Sequence, residues 1–282
     1  MTEKSDSSAE RDSKNPQVEA SQTSESKPID LSESVAAWAL RIKEYTVNTE
    51  MVGCIPLADL HCVYQPIVDL STGQVFAYEM LARCNTPGLT NPEVLFKRAA
   101  SERFTGQLGR ALRGIGSQGC RGIPIFLNVH PTELSDRYLI QPDDPMYRHD
   151  DDVYVEITES VPFTYYEICN SVLREIRDRG AVHLVVDDLG AGYSNLKRIA
   201  DLMPAVVKLD RMLITNLDRN ERQQILVKAV VRMCVDLGAK VVAEGLETWE
   251  EIRAVRDCGC HYGQGYALGR PDRTPKKNAW KF

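Results

Sequence analysis

The sequence lacks several features that would place a chain in a class at once. No apolar run approaches the roughly 18 residues of a membrane-spanning helix, and residues 1–13 have no apolar core of the kind found in secretory signals. Basic clusters are missing too, and the net charge of -6 argues against nucleic acid or an anionic membrane as the main partner. We therefore expect a cytoplasmic protein that binds neither DNA, RNA nor membranes.

The 8 cysteines form no CxxC pair, and Cys258 and Cys260 are too close for ordinary zinc spacing. We interpret them as reduced thiols and expect no disulfide framework at this length. The sequence also has no GxSxG elbow and no glycine-rich dinucleotide loop. These absences argue against an α/β-hydrolase and against a dinucleotide-binding domain.

The composition divides the chain into three parts. Residues 1–33 are rich in Ser, Glu, Lys and Asp, which predicts a disordered tail because too little apolar surface is present to offset the ordering entropy. Residues 34–58 are predicted to form a lead-in helix and linker, and residues 59–282 the folded domain. The sequence leaves open whether the tail is a linker or a docking site for a regulatory protein.

About eight strands alternate mostly with helices over the folded part, and a tight turn at residues 71–74 predicts that the first two strands form an antiparallel hairpin. A helical stretch at residues 92–115 should break near Thr105. The pattern predicts an α/β fold, a (β/α)8 TIM-like barrel with an antiparallel first strand. A doubly wound sheet is the alternative. The predicted strands are 63–70, 75–81, 123–129, 153–157, 182–186, 205–209, 240–243 and 262–266.

The most informative stretch is LVVDDLGAGY at residues 184–193. A short apolar run, typical of a buried strand, ends in Asp187 and Asp188, and Gly190 and Gly192 then favour a loop. An isolated Asp-Asp pair is most simply a helix cap followed by a turn. The alternative is a functional site, which gains support because other predicted strands end in similar side chains.

Acidic, amide and lysine side chains recur at the predicted strand ends, and the carboxyl ends of barrel strands converge on one mouth. Each has a simpler explanation alone, such as a helix cap at Glu156 or a surface charge at Lys208. Together, so many carboxylates need cations to neutralise them. Oxygen ligands favour Mg²⁺ or Mn²⁺, and two ions would suit attack of water on a phosphodiester. The residues are Glu79, Asn128, Glu156, Asp187, Asp188, Lys208, Asp210, Glu244 and Gln264.

From about residue 62 to residue 271 the chain resembles the EAL-domain cyclic di-GMP phosphodiesterases, through an ordered set of motifs. The motifs are YQPIVDL (64–70), YEMLAR (78–83), LNVHP (127–131), VEITES (155–160), VVDDLGAGYSNL (185–196), VVKLD (206–210), VVAEGLET (241–248) and GQGYALGRP (263–271). The resemblance implies a metal-dependent hydrolase that converts cyclic di-GMP to linear pGpG. Because the family often works as a dimer, it also makes a homodimer one expectation.

The resemblance implies a role for each matching residue. Lys208 would orient or activate the attacking water, and Glu244 would act as general base or as a ligand of the second ion. Asp187 would bridge the first and the second ion, and Asp188 would also hold the second. The implied first-ion ligands are Glu79, Asn128, Glu156 and Asp187. The implied substrate contacts are Gln65, Arg83 and Gln264, although Gln264 would hold either the substrate or a metal-bound water. The implied loop anchors are Glu159 and Glu247.

The chain departs from the family pattern at four positions. Met80 replaces the usual alanine, Leu189 a phenylalanine, Ala191 a threonine and His261 a common aspartate. Met80 should point away from the ligand face, because neighbours alternate along a strand. Met80, Leu189 and Ala191 motivate an alternative, a weak or inactive domain that serves as a cyclic di-GMP receptor or protein-interaction module. A third hypothesis is a metal-dependent barrel enzyme acting on a different phosphate ester.

Overall fold

A computed structural model describes residues 51–134, 138–158, 166–179, 182–191, 196–276 and 279–281. The predicted tail and most of the predicted lead-in helix, residues 1–50, lie outside this range, so the predicted domain boundaries stay predictions. No helix in the described part of the chain combines the length and the apolar character needed to span a bilayer.

Eight strands form a closed barrel in chain order, which confirms the predicted fold class. The first strand runs antiparallel to both of its neighbours, and the remaining strand pairs are parallel. The strands are β1 (Leu60–Asp69), β2 (Val75–Cys84), β3 (Ile125–Asn128), β4 (Val153–Thr158), β5 (Val182–Leu189), β6 (Val206–Leu209), β7 (Lys240–Ala243) and β8 (Tyr262–Gly263).

The helices pack around this barrel, and the predicted break near Thr105 is confirmed as the gap between the first two. One short helix, Arg211–Ile214, was not predicted; the Asp210 side chain caps it by accepting a hydrogen bond from the Met212 amide. The helices are α1 (Pro92–Ser101), α2 (Thr105–Gly119), α3 (Tyr166–Asp178), α4 (Leu196–Leu202), α5 (Arg211–Ile214), α6 (Glu221–Asp236) and α7 (Trp249–Asp257).

The predicted turn between β1 and β2 is held from two sides. The Asp69 carboxylate accepts hydrogen bonds from the amides of Ser71 and Thr72. Gly73 has a φ of +71°, and a Cβ there would lie 1.9 Å from the carbonyl oxygen of Trp280. The Trp280 amide also donates a hydrogen bond to the Gly73 carbonyl. The segment after the barrel therefore packs against the hairpin, and only glycine fits at position 73, where the two meet.

Aromatic side chains fill the barrel near the amino-terminal ends of its strands. The Phe76 and Tyr262 rings stack with centroids 4.1 Å apart, and the Phe126 and Tyr154 rings stack with centroids 4.4 Å apart. Phe126 is fully buried and Tyr154 nearly so. Because this end is packed, the polar site lies at the other end of the barrel, where the parallel strands terminate.

A buried charge cluster joins α2 to the segment that follows β3. The Arg113 guanidinium lies 2.7 Å from a Glu133 carboxylate oxygen and 2.8 Å from an Asp144 oxygen, and all three side chains are at most 1% exposed. Gly109 gives this cluster room, because a Cβ there would lie 2.1 Å from the Glu133 carboxylate. The cluster thus fixes α2 to the loop between β3 and β4.

Replacement of Arg113 by alanine should destabilise the protein by about 3–5 kcal/mol, because two buried carboxylates lose their cation. The free energy of unfolding in urea measures this effect. The matched control is Arg232→Ala, which removes a mostly exposed i,i+4 partner of Asp236 and should cost no more than about 0.5 kcal/mol. Equal losses in the two variants would show that the buried cluster does not stabilise the fold.

Candidate active site

The strand register brings the predicted polar residues of β2, β3 and β4 to one level of the barrel mouth. Asn128, the last residue of β3, is paired with Glu156 of β4. Glu79 is paired with Phe126, two residues before Asn128. The Asn128 amide then donates a 2.8 Å hydrogen bond to a Glu79 oxygen, joining two side chains that are 49 residues apart in the chain.

The two adjacent aspartates of β5 lie in a bulge. Val186 pairs with Val207 and Leu189 pairs with Leu209, so Asp187 and Asp188 together oppose one residue of β6. Asp188 has a left-handed backbone, with a φ of +59°. In a regular strand, neighbouring side chains point to opposite faces. The bulge removes this alternation, and both carboxylates can face the mouth.

The residue opposite the bulge is Lys208, and its ammonium is the centre of the site. It lies 2.7 Å from Glu156, 2.6 Å from Glu244, 3.2 Å from Asp187 and 3.8 Å from Glu79, measured between Nζ and the nearest carboxylate oxygens. The side chain is 1% exposed. Burial alone would lower its pKa, but the surrounding carboxylates hold the pKa of Lys208 well above its ordinary value.

Glu79 and Glu156 lie side by side, but their pKa values are shifted in opposite directions. Burial raises the pKa of Glu156 well above its ordinary value, and the charges of Glu79 and Asp187 add to that effect. Burial acts on Glu79 too, but Lys208 and a 2.6 Å hydrogen bond from the Gln264 amide bring its pKa below the ordinary value. The neighbouring carboxyls are therefore pushed in opposite directions.

A second group of acids lies beside the first. Oxygens of Asp187, Asp188 and Glu244 are all within 4.8 Å of one another. Burial and then the charge of Asp187 raise the pKa of Asp188 to about 6. Burial also raises the pKa of Glu244 to about 8, against the opposing effect of Lys208. When no cation is bound, burial and the repulsion between these acids therefore shift the pKa values of Asp188 and Glu244 upward.

The donor set fits a hard divalent cation. Its groups are carboxylate and amide oxygens, the ligands that Mg²⁺ and Mn²⁺ prefer. No described residue donates a hydrogen bond to the buried Glu156 Oε2 or Gln264 Oε1 atoms. Buried polar atoms without partners are costly. A cation at the mouth would supply a partner for the first of these oxygens and reduce the repulsion among the acids.

A cleft of about 270 Å³ opens from this mouth. Predicted residues on its wall are Gln65, Glu79, Glu244 and Gln264. The Gln65 side chain is held by a 3.1 Å hydrogen bond from its amide to the Gly269 carbonyl, and its oxygen lies 3.4 Å from the Gln264 amide nitrogen. The described structure therefore gathers the predicted acids, Asn128, Lys208, Gln65 and Gln264 at one end of the barrel.

The other predicted site residues are placed differently. Arg83 lies four residues beyond Glu79 on β2, does not line the cleft, and donates a 2.8 Å hydrogen bond to the Ala82 carbonyl. Glu247 lines the cleft, where it is paired with Arg211. Glu159 lies outside the described residues. The substrate role of Arg83 and the anchoring roles of Glu159 and Glu247 remain predictions.

Sequence reasoning did not assign a role to Asp210, Arg211 or Tyr266, which line the same cleft. Asp210 is predicted at a strand end, and Tyr266 lies within the last motif. Arg211 gave no signal, because an arginine after a strand is most simply a surface charge. Its position on the wall follows from the short helix α5, which was not predicted.

The substitution of methionine for the usual alanine after Glu79 does not disturb this site. Met80 is 5% exposed and points outward to α2. A Cβ at Gly116 would lie 1.6 Å from the Met80 sulfur, so the missing side chain of Gly116 makes the room that the longer residue needs. Met80 therefore lies on the strand face opposite Glu79, as predicted.

We expect Gly116→Ala to destabilise the protein by about 1–3 kcal/mol, because the added methyl group overpacks the contact. Met80→Ala should destabilise it by about 2–5 kcal/mol, because it leaves a cavity. In the double variant the new methyl group occupies part of the cavity. Its loss of unfolding free energy in urea should therefore be smaller than the sum of the single losses by at least about 1 kcal/mol. Additive losses would show that the two side chains do not compete for space.

The sequence model of the EAL domain matches residues 56–271 of this chain. A Pseudomonas aeruginosa protein named cyclic di-GMP phosphodiesterase PA2567 is 29% identical over an alignment of 266 residues, which covers 90% of this chain and 44% of that protein. The P. aeruginosa cyclic di-GMP phosphodiesterase RocR is 30% identical over an alignment of 249 residues, which covers 82% of this chain and 62% of RocR. The chain thus spans less than two thirds of the length of each of these relatives.

Two solved structures of proteins in complex with cyclic di-GMP are similar to this chain. The Klebsiella pneumoniae protein BlrP1, in its manganese/cy-diGMP complex, superposes with a TM-score of 0.68 at 29% identity, over 79% of this chain and 58% of BlrP1. PaMucR phosphodiesterase, in complex with c-di-GMP, superposes with a TM-score of 0.65 at 26% identity, over 76% of this chain and 92% of PaMucR.

Proposed function

Because the chain belongs to the EAL domain family, we propose that it is a metal-dependent phosphodiesterase that hydrolyses cyclic di-GMP to linear pGpG. The observation that carries the proposal is the convergence of five carboxyl groups around or beside the Lys208 ammonium at the barrel mouth. The relatives PA2567 and RocR, both named cyclic di-GMP phosphodiesterases, support the substrate class.

We assign the metal ligands in two groups that share Asp187. Glu79, Asn128, Glu156 and Asp187 would hold one Mg²⁺ or Mn²⁺ ion, and Asp187, Asp188 and Glu244 would hold a second. Supporting the second group, its oxygens lie within 4.8 Å of one another. Bound there, the ions would supply Lewis-acid stabilisation of phosphoryl charge and lower the pKa of water.

The remaining chemistry falls to side chains that surround the cleft. Lys208 has a fixed ammonium with three donors, which suits it to orient the attacking water and to stabilise negative charge on the phosphoryl oxygens. Glu244, with a pKa near 8 in the absence of a cation, is suited to proton exchange near neutral pH if it acts as base rather than ligand. Gln264 and Gln65 present amides that would orient the dinucleotide.

Catalysis is favoured over a receptor role by the complete set of proposed ligands. Two of the positions at which the chain departs from the family pattern, Leu189 and Ala191, lie at the end of β5 and just after it. Leu189 is 2% exposed and packs in the core, and Ala191 is exposed. Neither replaces a proposed ligand. A receptor would instead show cyclic di-GMP binding without release of pGpG, and this result defines the alternative.

We also propose that the protein acts in the cytoplasm. Supporting this, Cys62, Cys84, Cys234 and Cys260 are buried thiols rather than disulfides, as is usual where thiols stay reduced. A homodimer and a regulatory partner at residues 1–33 are further proposals from the family resemblance and from the composition of the tail.

The direct test is turnover of cyclic di-GMP with and without Mg²⁺ or Mn²⁺. We expect pGpG to accumulate with either ion and to stop on chelation with EDTA. Glu79→Ala should reduce the rate by about 100-fold or more, because a ligand is lost. Chromatography of the products measures both species. If the wild type and Glu79→Ala release the same negligible amount of pGpG, the enzyme proposal fails.

A further inference from the structure

An ion pair stands on the cleft wall beyond the proposed metal ligands. Arg211 Nη2 lies 3.2 Å from Glu247 Oε1, and the two side chains are 59% and 53% exposed. Both residues line the cleft that also contains Glu79 and Glu244. Such exposed pairs contribute little to stability, about 0–1 kcal/mol. Their charged groups therefore remain available to a ligand in the cleft.

The backbone holds Arg211 in this position. It is the first residue of α5, which Asp210 caps. Its Cβ packs on Gly245, where an added Cβ would lie 2.4 Å away and where φ is +67°. Gly245 directly follows Glu244. The backbone of the arginine is consequently fixed next to the barrel mouth, while its largely exposed side chain lines the cleft.

The pair offers the hydrogen-bonding pattern that guanine requires. A guanidinium donates two parallel hydrogen bonds to the O6 and N7 acceptors of guanine. A carboxylate accepts from the N1–H and N2–H donors on the adjacent edge of the same base. Adenine carries an N6 amino donor where guanine has O6, so it would direct a donor at the guanidinium. The pattern therefore discriminates between the two purines.

The charges around Arg211 favour a base over a phosphate. Asp210, Glu244 and Glu247 line the same wall, so the local potential disfavours an anionic group unless a cation holds it. Tyr266, 54% exposed, lines the cleft as well and offers a ring for stacking. The Arg270 guanidinium lies 4.1 Å from the centroid of that ring. An uncharged aromatic ligand suits this part of the cleft.

We propose that Arg211 and Glu247 recognise one guanine base of the dinucleotide and set the preference for guanine over adenine. This inference rests on the proposed function, because the scissile phosphodiester must lie at the carboxylate mouth for a base to reach the pair. It assigns base selectivity to residues outside the proposed metal and proton-transfer groups.

The test compares cyclic di-GMP with cyclic di-AMP in the 282-residue chain, as Kd values by calorimetry with Ca²⁺ and as kcat/KM with Mn²⁺. Arg211→Met should weaken cyclic di-GMP binding about 10- to 100-fold, the value of one bidentate contact to guanine. The loss should appear in Kd and KM more than in kcat. Arg211→Lys should recover only part of it, because an ammonium lacks the planar fork. The matched control is Arg232→Met, an exposed, ion-paired arginine away from the cleft.

Reduced preference for guanine in Arg211→Met, with Arg232→Met like the wild type, is the expected result. Equal loss for both dinucleotides would show a contact with phosphate or a structural effect, and no loss would show no contact; each overturns the inference. Guanine-selective binding without turnover would refute the enzyme proposal and leave this one standing. Turnover of cyclic di-GMP with unchanged selectivity in Arg211→Met would support the enzyme proposal and refute the role of Arg211 in guanine recognition.

Discussion

Replacement of Lys208 by methionine should lower kcat for cyclic di-GMP by about 100- to 10,000-fold, the range for a residue that positions or transfers a proton. The same change should destabilise the metal-free protein by about 3–5 kcal/mol, because buried carboxylates lose their cation. Lys208 Nζ lies within 3.8 Å of four of them. Saturating Mn²⁺ should restore part of this stability, since it also neutralises the acids, without restoring turnover.

The matched control for this variant is Lys228→Met on α6, where the lysine is exposed. It should leave turnover and the free energy of unfolding close to the wild-type values. Product analysis gives kcat, and urea unfolding with EDTA or Mn²⁺ gives the two stabilities. Full turnover in Lys208→Met would contradict the assigned role. Wild-type stability in EDTA would show that the lysine does not neutralise the cluster.

Replacement of Asp187 by asparagine should lower turnover about a thousandfold, because this residue is proposed to bridge both ions. In the wild type, Mn²⁺ at about 100 times its Kd should stabilise the fold by about 2.7 kcal/mol and raise Tm by roughly 5–10 °C. In Asp187→Asn most of this increase should disappear. The variant is expected to fold, because it removes one of several repelling charges.

Thermal unfolding with EDTA and with Mn²⁺ measures the metal-induced rise in Tm for each protein. Asp236→Asn is the control, since Asp236 is an exposed residue at the end of α6 that pairs with Arg232. It should retain the full rise. An unchanged rise in Asp187→Asn would place the ion elsewhere, and the absence of any rise in the wild type would remove the basis of the metal proposal.

The sequence predicted the barrel because its strands and helices alternate and its apolar runs are short. The strand at Lys240–Ala243 was predicted to the residue, and β5 was predicted three residues too short. That error has a physical reason. Asp187 and Asp188 were interpreted as the end of a strand, but a bulge lets both remain within it. A local apolar pattern contains no information about the partner strand that makes a bulge possible.

The gathering of acids was also predictable, because the carboxyl ends of barrel strands meet. The central position of Lys208 was not. A lysine near the end of a short apolar strand is equally consistent with a solvated surface charge, and only the register of β6 against β5 and β7 buries it among carboxylates. Arg211 was missed for a related reason: its function depends on a neighbouring loop, where Gly245 supports it and Glu247 pairs with it.

The central claim is that the crowded carboxylates of the barrel mouth exist to hold cations beside a phosphodiester. A crystal structure of the Glu244→Gln variant with Mn²⁺ and cyclic di-GMP, with anomalous scattering recorded for manganese, tests it most directly. We predict manganese peaks next to Glu79, Glu156 and Asp187, with a dinucleotide phosphate beside them. Anomalous peaks confined to other surfaces, with the mouth empty of metal, would contradict the account.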